Sequence, residues 1–307
     1  MGSKKSTGVV GCGWFGSAHC RVYKEISNLT AVSDIDAEKA KTLGEKYDVN
    51  WYVNYKDMIK NEDLDAVSIV VPPKYIPRIA EDFVKHGIDV LMEKPLGTRV
   101  EDVEKLLTYG NVRIMPGFIE LFNPAFERLK KGLPFIGKPL MASARRIGRF
   151  PRRFWNIGVI MDLAFHDMYI LCNLFGSVKR MDSMVSYFTN DKFEDAAIVI
   201  LEFDNGVKCL IEANWLTPSK ERKLRVYGSE GIIEIDFLSQ ELRILKNEVA
   251  EFLGAGREET YKPFKVYEPL KRELEVFLYA KEIPVTLNEG IEVLKLALEA
   301  SKHQRQL

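Results

Sequence analysis

The chain has 307 residues, more than one hydrophobic core usually organises, so we expect two domains. Its 44 basic side chains balance 44 acidic ones, which argues against nucleic acid or a membrane surface as a partner and leaves a small molecule. The four cysteines form no CxxC pair and no apolar run reaches the roughly 18 residues of a membrane span, so we expect a cytoplasmic protein with no zinc site, disulfide framework or transmembrane helix.

The first 120 residues alternate short apolar runs with amphipathic, charge-rich segments, which is the pattern of strand–helix–strand units around a parallel sheet. The predicted strands cover residues 7–10, 29–32, 65–71, 89–92 and 112–118. The predicted helices cover residues 15–24, 37–47, 76–86 and 100–107. We therefore predict an α/β domain over residues 1–120.

The pattern changes after a boundary near residues 117–123. Segments typical of longer antiparallel strands follow at 140–145, 195–203, 207–215 and 223–227, with turns at 204–206 and 229–231. Two helices are predicted at 273–282 and 287–300, the second returning to cover the first domain. The sequence thus predicts a second, α+β domain over residues 121–307.

The first predicted strand runs into a glycine-rich segment, GCGWFG, which opens a helix. In this context Gly11 allows a tight turn, Gly13 allows a pyrophosphate to approach the backbone, and Gly16 allows the helix to pack closely on the strand. Glycines also occur in turns that bind nothing, so the motif needs a second signal.

The second signal is Asp34, a carboxylate at the end of the next strand and about 20 residues beyond the glycines. A carboxylate there accepts hydrogen bonds from the adenosine ribose and repels a 2′-phosphate, which favours NAD over NADP. NADP stays open, because Lys39 and Lys41 are placed to receive a phosphate. The other interpretation, a helix N-cap, suits Asp36 better than Asp34.

A hydride transfer at a carbon that bears oxygen needs a group to accept or donate the hydroxyl proton. Lys94 follows a predicted strand within Glu93-Lys94-Pro95, at the sheet edge where open α/β folds bind ligands. The same tripeptide also occurs as a solvated strand end. Lys94 is therefore a candidate catalytic and substrate-binding residue, but the assignment needs a second set of candidate catalytic residues to support it.

Asp162 and His166 are this second set, four residues apart within an apolar helical segment. This spacing places both on one helix face, where the carboxylate can orient the imidazole or bind a substrate hydroxyl. A helix N-cap and a core histidine are the alternative interpretation. We expect no metal, because the sequence offers no third ligand at a comparable spacing.

Six segments, VVGCGWFG, AVSDID, VVPPKY, LMEKPLG, PGFIELFNPAF and GVIMDLAFHDMYIL, occur in the order and spacing of the glucose-fructose oxidoreductase / inositol dehydrogenase / rhizopine catabolism family. The resemblance covers almost the whole chain. It implies an N-terminal Rossmann domain, a C-terminal domain with an open, mainly antiparallel sheet, and a cis Lys94–Pro95 bond. By the same resemblance Lys94 and His166 are catalytic and Asp162 is their companion. The implied dinucleotide-binding positions are Gly11, Gly13, Trp14, Phe15, Asp34, Ile35, Pro72, Tyr75, Glu93 and Lys94.

The chain departs from this family pattern at two positions beside the predicted nicotinamide site. Val71 replaces a common threonine or serine, and Tyr75 replaces the usual histidine. Residues 118–120, Phe-Ile-Glu, are closer to the pattern of members that act on UDP-N-acetyl sugars.

Five arginines within nine residues, 145–153, are interleaved with aromatic side chains and predict a basic loop. Arginine forks suit phosphate and aromatic faces suit a uracil or sugar ring, so Arg149 and Arg153 are candidate substrate-binding residues. A solvated loop paired with carboxylates is the alternative.

The leading hypothesis for the activity is an NAD(P)-dependent dehydrogenase that oxidises UDP-N-acetylglucosamine at C3. The Arg-Phe-Pro-Arg stretch, residues 149–152, resembles that of the UDP-N-acetylglucosamine 3-dehydrogenase branch of the family. Dehydrogenation of a free sugar or a polyol such as inositol is the runner-up. A non-catalytic dinucleotide-binding regulator and a reductase of an unsaturated carbon are the remaining alternatives. An open sheet face favours a homo-oligomer, a dimer or tetramer.

Overall fold

The computed structural model describes residues 4–151, 157–189, 191–246, 257–261 and 267–302, with residues 257–261 described by their backbone alone. Contacts between Cα atoms divide the chain into two compact units. The first comprises Met1–Ile119 with Leu270–Leu294, and the second Glu120–Pro269 with Lys295–Leu307. This division differs from the predicted domain ranges because residues 270–294 group with the first unit.

The first unit contains a six-stranded parallel sheet. Its strands are β1 (Ser6–Val10), β2 (Asn28–Ser33), β3 (Asn50–Tyr52), β4 (Ala66–Ile69), β5 (Asp89–Glu93) and β6 (Ile114–Gly117). Their order is β3-β2-β1-β4-β5-β6, with every neighbouring pair parallel. This is the strand order of a dinucleotide-binding Rossmann sheet, as predicted.

Helices connect these strands and recur in the second unit. They are α1 (Trp14–Ile26), α2 (Ala37–Tyr47), α3 (Tyr55–Asn61), α4 (Ile76–Val84), α5 (Val100–Glu104), α6 (Pro124–Gly132), α7 (Phe165–Phe175), α8 (Pro269–Tyr279) and α9 (Leu287–Ala300). In α4 the apolar residues Ile76, Ile79 and Phe83 recur at helical spacing and are buried. β4 is buried along its whole length, as expected for a parallel strand with both faces covered.

The second unit contains an eight-stranded mixed sheet. Its strands are β7 (Pro139–Arg149), β8 (Val178–Ser186), β9 (Ala196–Phe203), β10 (Lys208–Asn214), β11 (Leu216–Gly228), β12 (Gly231–Asp236), β13 (Glu241–Lys246) and β14 (Arg257–Tyr261). Their order is β14-β13-β12-β11-β7-β10-β9-β8, and only the pairing of β7 with β10 is parallel. The predicted open, mainly antiparallel sheet is confirmed.

Burial alternates along the strands of this sheet. In β9, Val199 and Leu201 are buried, whereas Ile198 and Ile200 are exposed. One face therefore belongs to the core and the other faces solvent.

Two features of the second unit correct the sequence interpretation. Strand β7 extends to Arg149, so the first arginines of the predicted basic loop lie in a strand, where exposure alternates. Strand β11 begins at Leu216, well before the predicted 223, and its pairing with β7 is irregular between Leu216 and Glu221. Within the described ranges, no helix combines the length and hydropathy needed to cross a membrane.

Candidate functional site

The glycine loop joins β1 to α1 in the first unit. Gly11 has a φ of +103°, a conformation that favours glycine, and a Cβ there would overlap the carbonyl oxygen of Val70. A Cβ on Gly16 would overlap the carbonyl of Gly11, which shows how closely α1 packs on the loop. A Cβ on Gly13, by contrast, would meet nothing within 4 Å. The fold thus requires glycine at the first and third positions but leaves open space beside the second.

The carboxylate of Asp34 is fixed beside this loop. Its Oδ2 accepts a hydrogen bond from the backbone nitrogen of Cys12 at 2.7 Å, and its Oδ1 accepts one from the backbone nitrogen of Asp36 at 2.9 Å. Asp36 is the N-cap of α2 and accepts from the backbone nitrogen of Lys39, as expected. The Lys39 ammonium lies 2.9 Å from the Asp36 carboxylate.

Two large apolar side chains flank the loop in solvent. Trp14 is 83% exposed and Ile35 is 91% exposed. Phe15 stacks against Trp14 with ring centroids 5.7 Å apart and meets the buried ring of His19 edge-on. Exposed apolar side chains of this size suit contact with a ligand.

The carboxyl ends of β4 and β5 carry the remaining predicted dinucleotide residues. Pro72 precedes a 3₁₀ turn, Pro73–Tyr75, in which Tyr75 is about half exposed. Lys94 follows β5 directly and is half-buried, and its peptide bond to Pro95 is cis, as the family resemblance implies. Because β1, β4 and β5 are parallel neighbours, these residues lie at the same sheet edge as the glycine loop.

A buried carboxylate holds the backbone at Lys94. Glu93 is 5% exposed; its Oε1 lies 3.2 Å from Nε2 of His19, and its Oε2 accepts from the backbone nitrogen of Lys94 at 3.2 Å. A Cβ on Gly117 would lie 2.9 Å from the Glu93 carboxylate, so β6 also confines it. The start of the Lys94 segment is thereby anchored to α1 through His19.

The first unit fits a dinucleotide on its own geometry. The open space at Gly13 adjoins the N-terminus of α1, where backbone N–H groups and the helix dipole favour phosphate. Asp34 is held at the end of β2, the position from which a carboxylate side chain binds the ribose hydroxyls in this type of fold.

In the second unit, Asp162 and His166 lie on one continuous helical segment. Asp162 lies in a π-helical turn, Ile160–Ala164, that runs into α7, and it is half-buried, whereas His166 is buried. The carboxylate of Glu194 accepts from the backbone nitrogen of Ile160 at 3.1 Å and anchors the start of this segment. Burial raises the pKa of Glu194, and backbone hydrogen bonds partly oppose that rise.

The imidazole of His166 contacts Tyr169, one helical turn further along α7. Nδ1 of His166 lies 2.8 Å from the Tyr169 hydroxyl, and the backbone nitrogen of Glu120 donates to the same hydroxyl at 3.1 Å. Sequence reasoning missed Tyr169, although its i,i+3 spacing from His166 was a usable signal.

Next to this contact lies a charge cluster, which we define as the buried Glu120, Arg146 and Asp167 with the half-buried Arg222, and which we call the buried charge cluster. Arg146 is 1% exposed and binds Asp167 with two hydrogen bonds, of 3.0 and 3.1 Å. It also donates to Glu120 at 3.0 Å, and Arg222 donates to the same oxygen at 3.3 Å. Two cations thus meet two anions.

Burial opposes charge on Arg146, but Asp167 and Glu120 outweigh it and raise the pKa of the guanidinium. Burial raises the pKa of the Asp167 carboxyl, and the Arg146 guanidinium opposes that rise. The cluster fixes α7 against β7 and β11 through charge-assisted hydrogen bonds.

The arginines predicted to bind substrate are only partly described. Arg149 is exposed at the end of β7, and its Nε donates to the carbonyl of Pro218 at 2.7 Å. Arg153 lies outside the described residues. A further cationic side chain on these two strands is Lys220, in the irregular part of β11. It lies beside Gly148 of β7, since a Cβ placed on that glycine would be 3.9 Å from Cγ of Lys220. Burial, and then the nearby cations of the charge cluster, lower the pKa of Lys220.

Two family descriptions match the chain. "Oxidoreductase family, NAD-binding Rossmann fold" matches residues 5–111, and "GFO/IDH/MocA C-terminal domain" matches residues 134–234. Together they cover more than half of the chain. The chain belongs to the Gfo/Idh/MocA oxidoreductase family. It is accordingly an oxidoreductase with an NAD-binding Rossmann domain, as the sequence resemblance implied.

Among named relatives, the UDP-N-acetylglucosamine 3-dehydrogenase of Acidithiobacillus ferrooxidans is 28% identical over 241 residues, covering 78% of this chain and 76% of the relative. A myo-inositol 2-dehydrogenase of Thermotoga maritima is 25% identical over 260 residues, covering 78% of each chain. A solved structure of the Acidithiobacillus enzyme matches with a TM-score of 0.89 at 26% identity, covering 97% of this chain and 96% of that one. Relatives in this family therefore include dehydrogenases of both a nucleotide sugar and a polyol.

Proposed function

We propose that this oxidoreductase is an NAD-dependent dehydrogenase of a UDP-linked amino sugar, with UDP-N-acetylglucosamine oxidised at C3. The observation that carries the proposal is the similarity to the Acidithiobacillus UDP-N-acetylglucosamine 3-dehydrogenase over 97% of the chain. Lys220, which interacts electrostatically with Asp162, supports it, because a nucleotide diphosphate brings two negative charges that a free sugar lacks.

The residues proposed to hold the dinucleotide are Gly11, Gly13, Trp14, Phe15, Asp34, Ile35, Pro72, Tyr75, Glu93 and Lys94. When bound, NAD supplies the acceptor for the hydride that leaves the sugar carbon. The residues of the chain bind the dinucleotide and orient it. The backbone beside Gly13 leaves room for the pyrophosphate, and Asp34 accepts hydrogen bonds from the ribose hydroxyls and repels a 2′-phosphate.

Lys94 is proposed to accept the proton of the reacting hydroxyl. Its backbone is held by Glu93 and, through Glu93, by His19, so its side chain starts from a fixed point. His166 and Asp162 are proposed to bind the sugar, with His166 as a catalytic group and Asp162 as its companion. A positioned general acid or base contributes roughly 100- to 10,000-fold to a rate.

The proposed diphosphate-binding group is Arg149, Arg153 and Lys220. Lys220→Met and Arg149→Met should each raise the KM for the UDP sugar about tenfold, because each removes one charge-assisted hydrogen bond worth about 1.5 to 3 kcal/mol, partly screened by solvent. Lys223→Met is the matched control, since Lys223 lies in the same strand among exposed charged side chains of the opposite, open face. Unchanged KM values in both variants would remove the diphosphate role.

Oxidation of a free polyol is the second candidate, favoured by the similarity to the Thermotoga myo-inositol 2-dehydrogenase. The two candidates separate in steady-state kinetics with UDP-N-acetylglucosamine and with inositol. Turnover of inositol alone, unaffected by Lys220→Met, would replace the first candidate with the second.

We also propose that the open sheet face mediates self-association, as a dimer or tetramer. Four apolar side chains of β8, β9 and β10 are between 40% and 48% exposed there: Met184, Ile198, Ile200 and Leu210. An apolar patch on adjacent strands is typical of an oligomer interface. Ile200→Glu should lower the molar mass measured by light scattering, and a monomeric wild-type protein would exclude the interface.

A further inference from the structure

Two cationic side chains and a glycine occupy adjacent positions on the core face of the eight-stranded sheet. Arg222 of β11 pairs with the buried Arg146 of β7, so both side chains lie on that face. Lys220 lies there too, because its Cγ would be 3.9 Å from a Cβ placed on Gly148, two positions beyond Arg146. We call Gly148, Lys220 and Arg222 the cationic patch.

The charges of the cationic patch are less well compensated than that of its neighbour Arg146. Arg146 makes two hydrogen bonds to Asp167 and one to Glu120. Within the described ranges, Arg222 makes one side-chain hydrogen bond, to the same Glu120 oxygen that Arg146 binds. Its side chain is 27% exposed, so it is largely removed from water without a carboxylate of its own. Lys220 forms no hydrogen bond or ion pair with any described residue.

The two cations of the patch also repel each other. Burial, and then Arg146, lower the pKa of Arg222. Burial, and then Arg222, lower the pKa of Lys220, and Asp162 opposes that shift. A negatively charged group bound between the two cations would reduce this repulsion. The interaction with Asp162 shows that the patch lies close to the helical segment that carries the candidate catalytic residues.

Gly148 leaves room for such a group. The residue is buried, yet a Cβ placed on it would have one described atom within 4 Å beyond its chain neighbours, Cγ of Lys220. Glycine inside a strand often marks a site where a ligand approaches the backbone closely. The donors around this space are a guanidinium and an ammonium group, which both bind phosphate oxygens.

We propose that the cationic patch binds a phosphate of the substrate's diphosphate, with its oxygens over Gly148 and between Lys220 and Arg222. This inference rests on the proposed function and adds Gly148 and Arg222 to the diphosphate-binding group. The phosphate supplies the negative charge that the described residues do not supply to these two cations. A free polyol brings no such charge, so the patch favours a nucleotide sugar over a polyol.

The test is a calorimetric titration with UDP, which carries the diphosphate without the sugar, at saturating NAD so that the glycine loop is occupied. Gly148→Ala keeps every charge and puts a methyl group where the phosphate is proposed to lie, in space that the described residues leave open. Arg222→Met removes one cation. We expect each variant to raise the Kd for UDP about tenfold, the effect of losing one charge-assisted hydrogen bond at a partly exposed site. Lys223→Met, on the opposite face of β11, is the matched control and should leave the Kd unchanged.

A wild-type Kd for UDP in Gly148→Ala overturns the proposal, and this result stands even if Arg222→Met is unstable through the loss of its bond to Glu120. An equal rise in Lys223→Met also overturns it, because the effect would then follow net charge rather than the patch. So does wild-type protein that binds glucuronate, an acidic sugar without a diphosphate, but not UDP. Oxidation of inositol and not of UDP-N-acetylglucosamine would instead contradict the proposed function, since the titration measures the patch without turnover.

Discussion

The central position of the glycine loop allows cofactor binding to be separated from folding. A methyl group on Gly13 would have no neighbour within 4 Å, and its φ of −70° and ψ of −172° suit alanine. Restricting the unfolded chain stabilises by about 0.4 to 1 kcal/mol, and losing glycine at an N-cap costs a similar amount. Gly13→Ala should therefore change the free energy of unfolding by less than about 1 kcal/mol. The same methyl group occupies the space proposed for the pyrophosphate, so the Kd for NAD should rise at least tenfold, or about 1.4 kcal/mol.

Calorimetric titration with NAD and urea unfolding without it measure the two quantities separately. Gly110→Ala is the matched control, since a Cβ there also meets nothing within 4 Å and the residue lies in an exposed loop. Gly16→Ala is the opposite case: its Cβ would overlap the backbone of Gly11, and overpacking costs about 1 to 3 kcal/mol. A Gly13→Ala protein that binds NAD with the wild-type Kd would refute the proposed path of the pyrophosphate.

Three further outcomes are expected. Arg146→Met should lower the free energy of unfolding by about 3 to 5 kcal/mol in urea titrations, because it leaves Asp167 buried without its cation. Arg145 is exposed, so Arg145→Met should lower it by less than about 1 kcal/mol. Equal losses in the two variants would contradict the buried charge cluster. Glu194 has a raised pKa in the fold, so folding favours its protonated form, and the stability that this group contributes falls as the pH rises from the ordinary glutamate pKa through the raised one. Glu194→Gln should lack that fall when the free energy of unfolding is measured across this pH window. A variant and a wild-type protein whose free energies of unfolding depend on pH in the same way would contradict the raised pKa. Lys94→Ala should lower kcat at least 100-fold at saturating NAD, because it removes the proposed proton acceptor, and full turnover in steady-state assays would contradict that assignment.

The parallel half of the fold was accessible to sequence reasoning because its signals are local. Helix α2 was predicted over its observed range, 37–47, since Asp36 marks its start and apolar residues recur at helical spacing. Strand β3 was missed because its three residues, 50–52, are too few to show a period. The short helix α3 that follows it was missed for the same reason.

The buried charge cluster shows what local patterns miss. A run of arginines predicts a solvated or ligand-binding loop, but β7 continues through it, and alternation exposes Arg145 while burying Arg146. The carboxylates that compensate the buried guanidinium, Glu120 and Asp167, lie 26 and 21 residues away in the sequence. No spacing rule connects them. Asp162 and His166, by contrast, were predicted to share one helical segment because they are four positions apart, and the structure places them on one segment.

Transfer of a hydride from C3 of a UDP-linked amino sugar to NAD is the reaction that we propose for this chain. The most direct measurement is the transfer of label from UDP-N-acetylglucosamine deuterated at C3, with nicotinamide absorbance following the reaction and mass spectrometry locating the deuterium. We expect one deuterium in the NADH formed and a 3-keto sugar product, both abolished in Lys94→Ala. Absence of label from the NADH, or reduction of NAD only with a free polyol such as inositol, would contradict it.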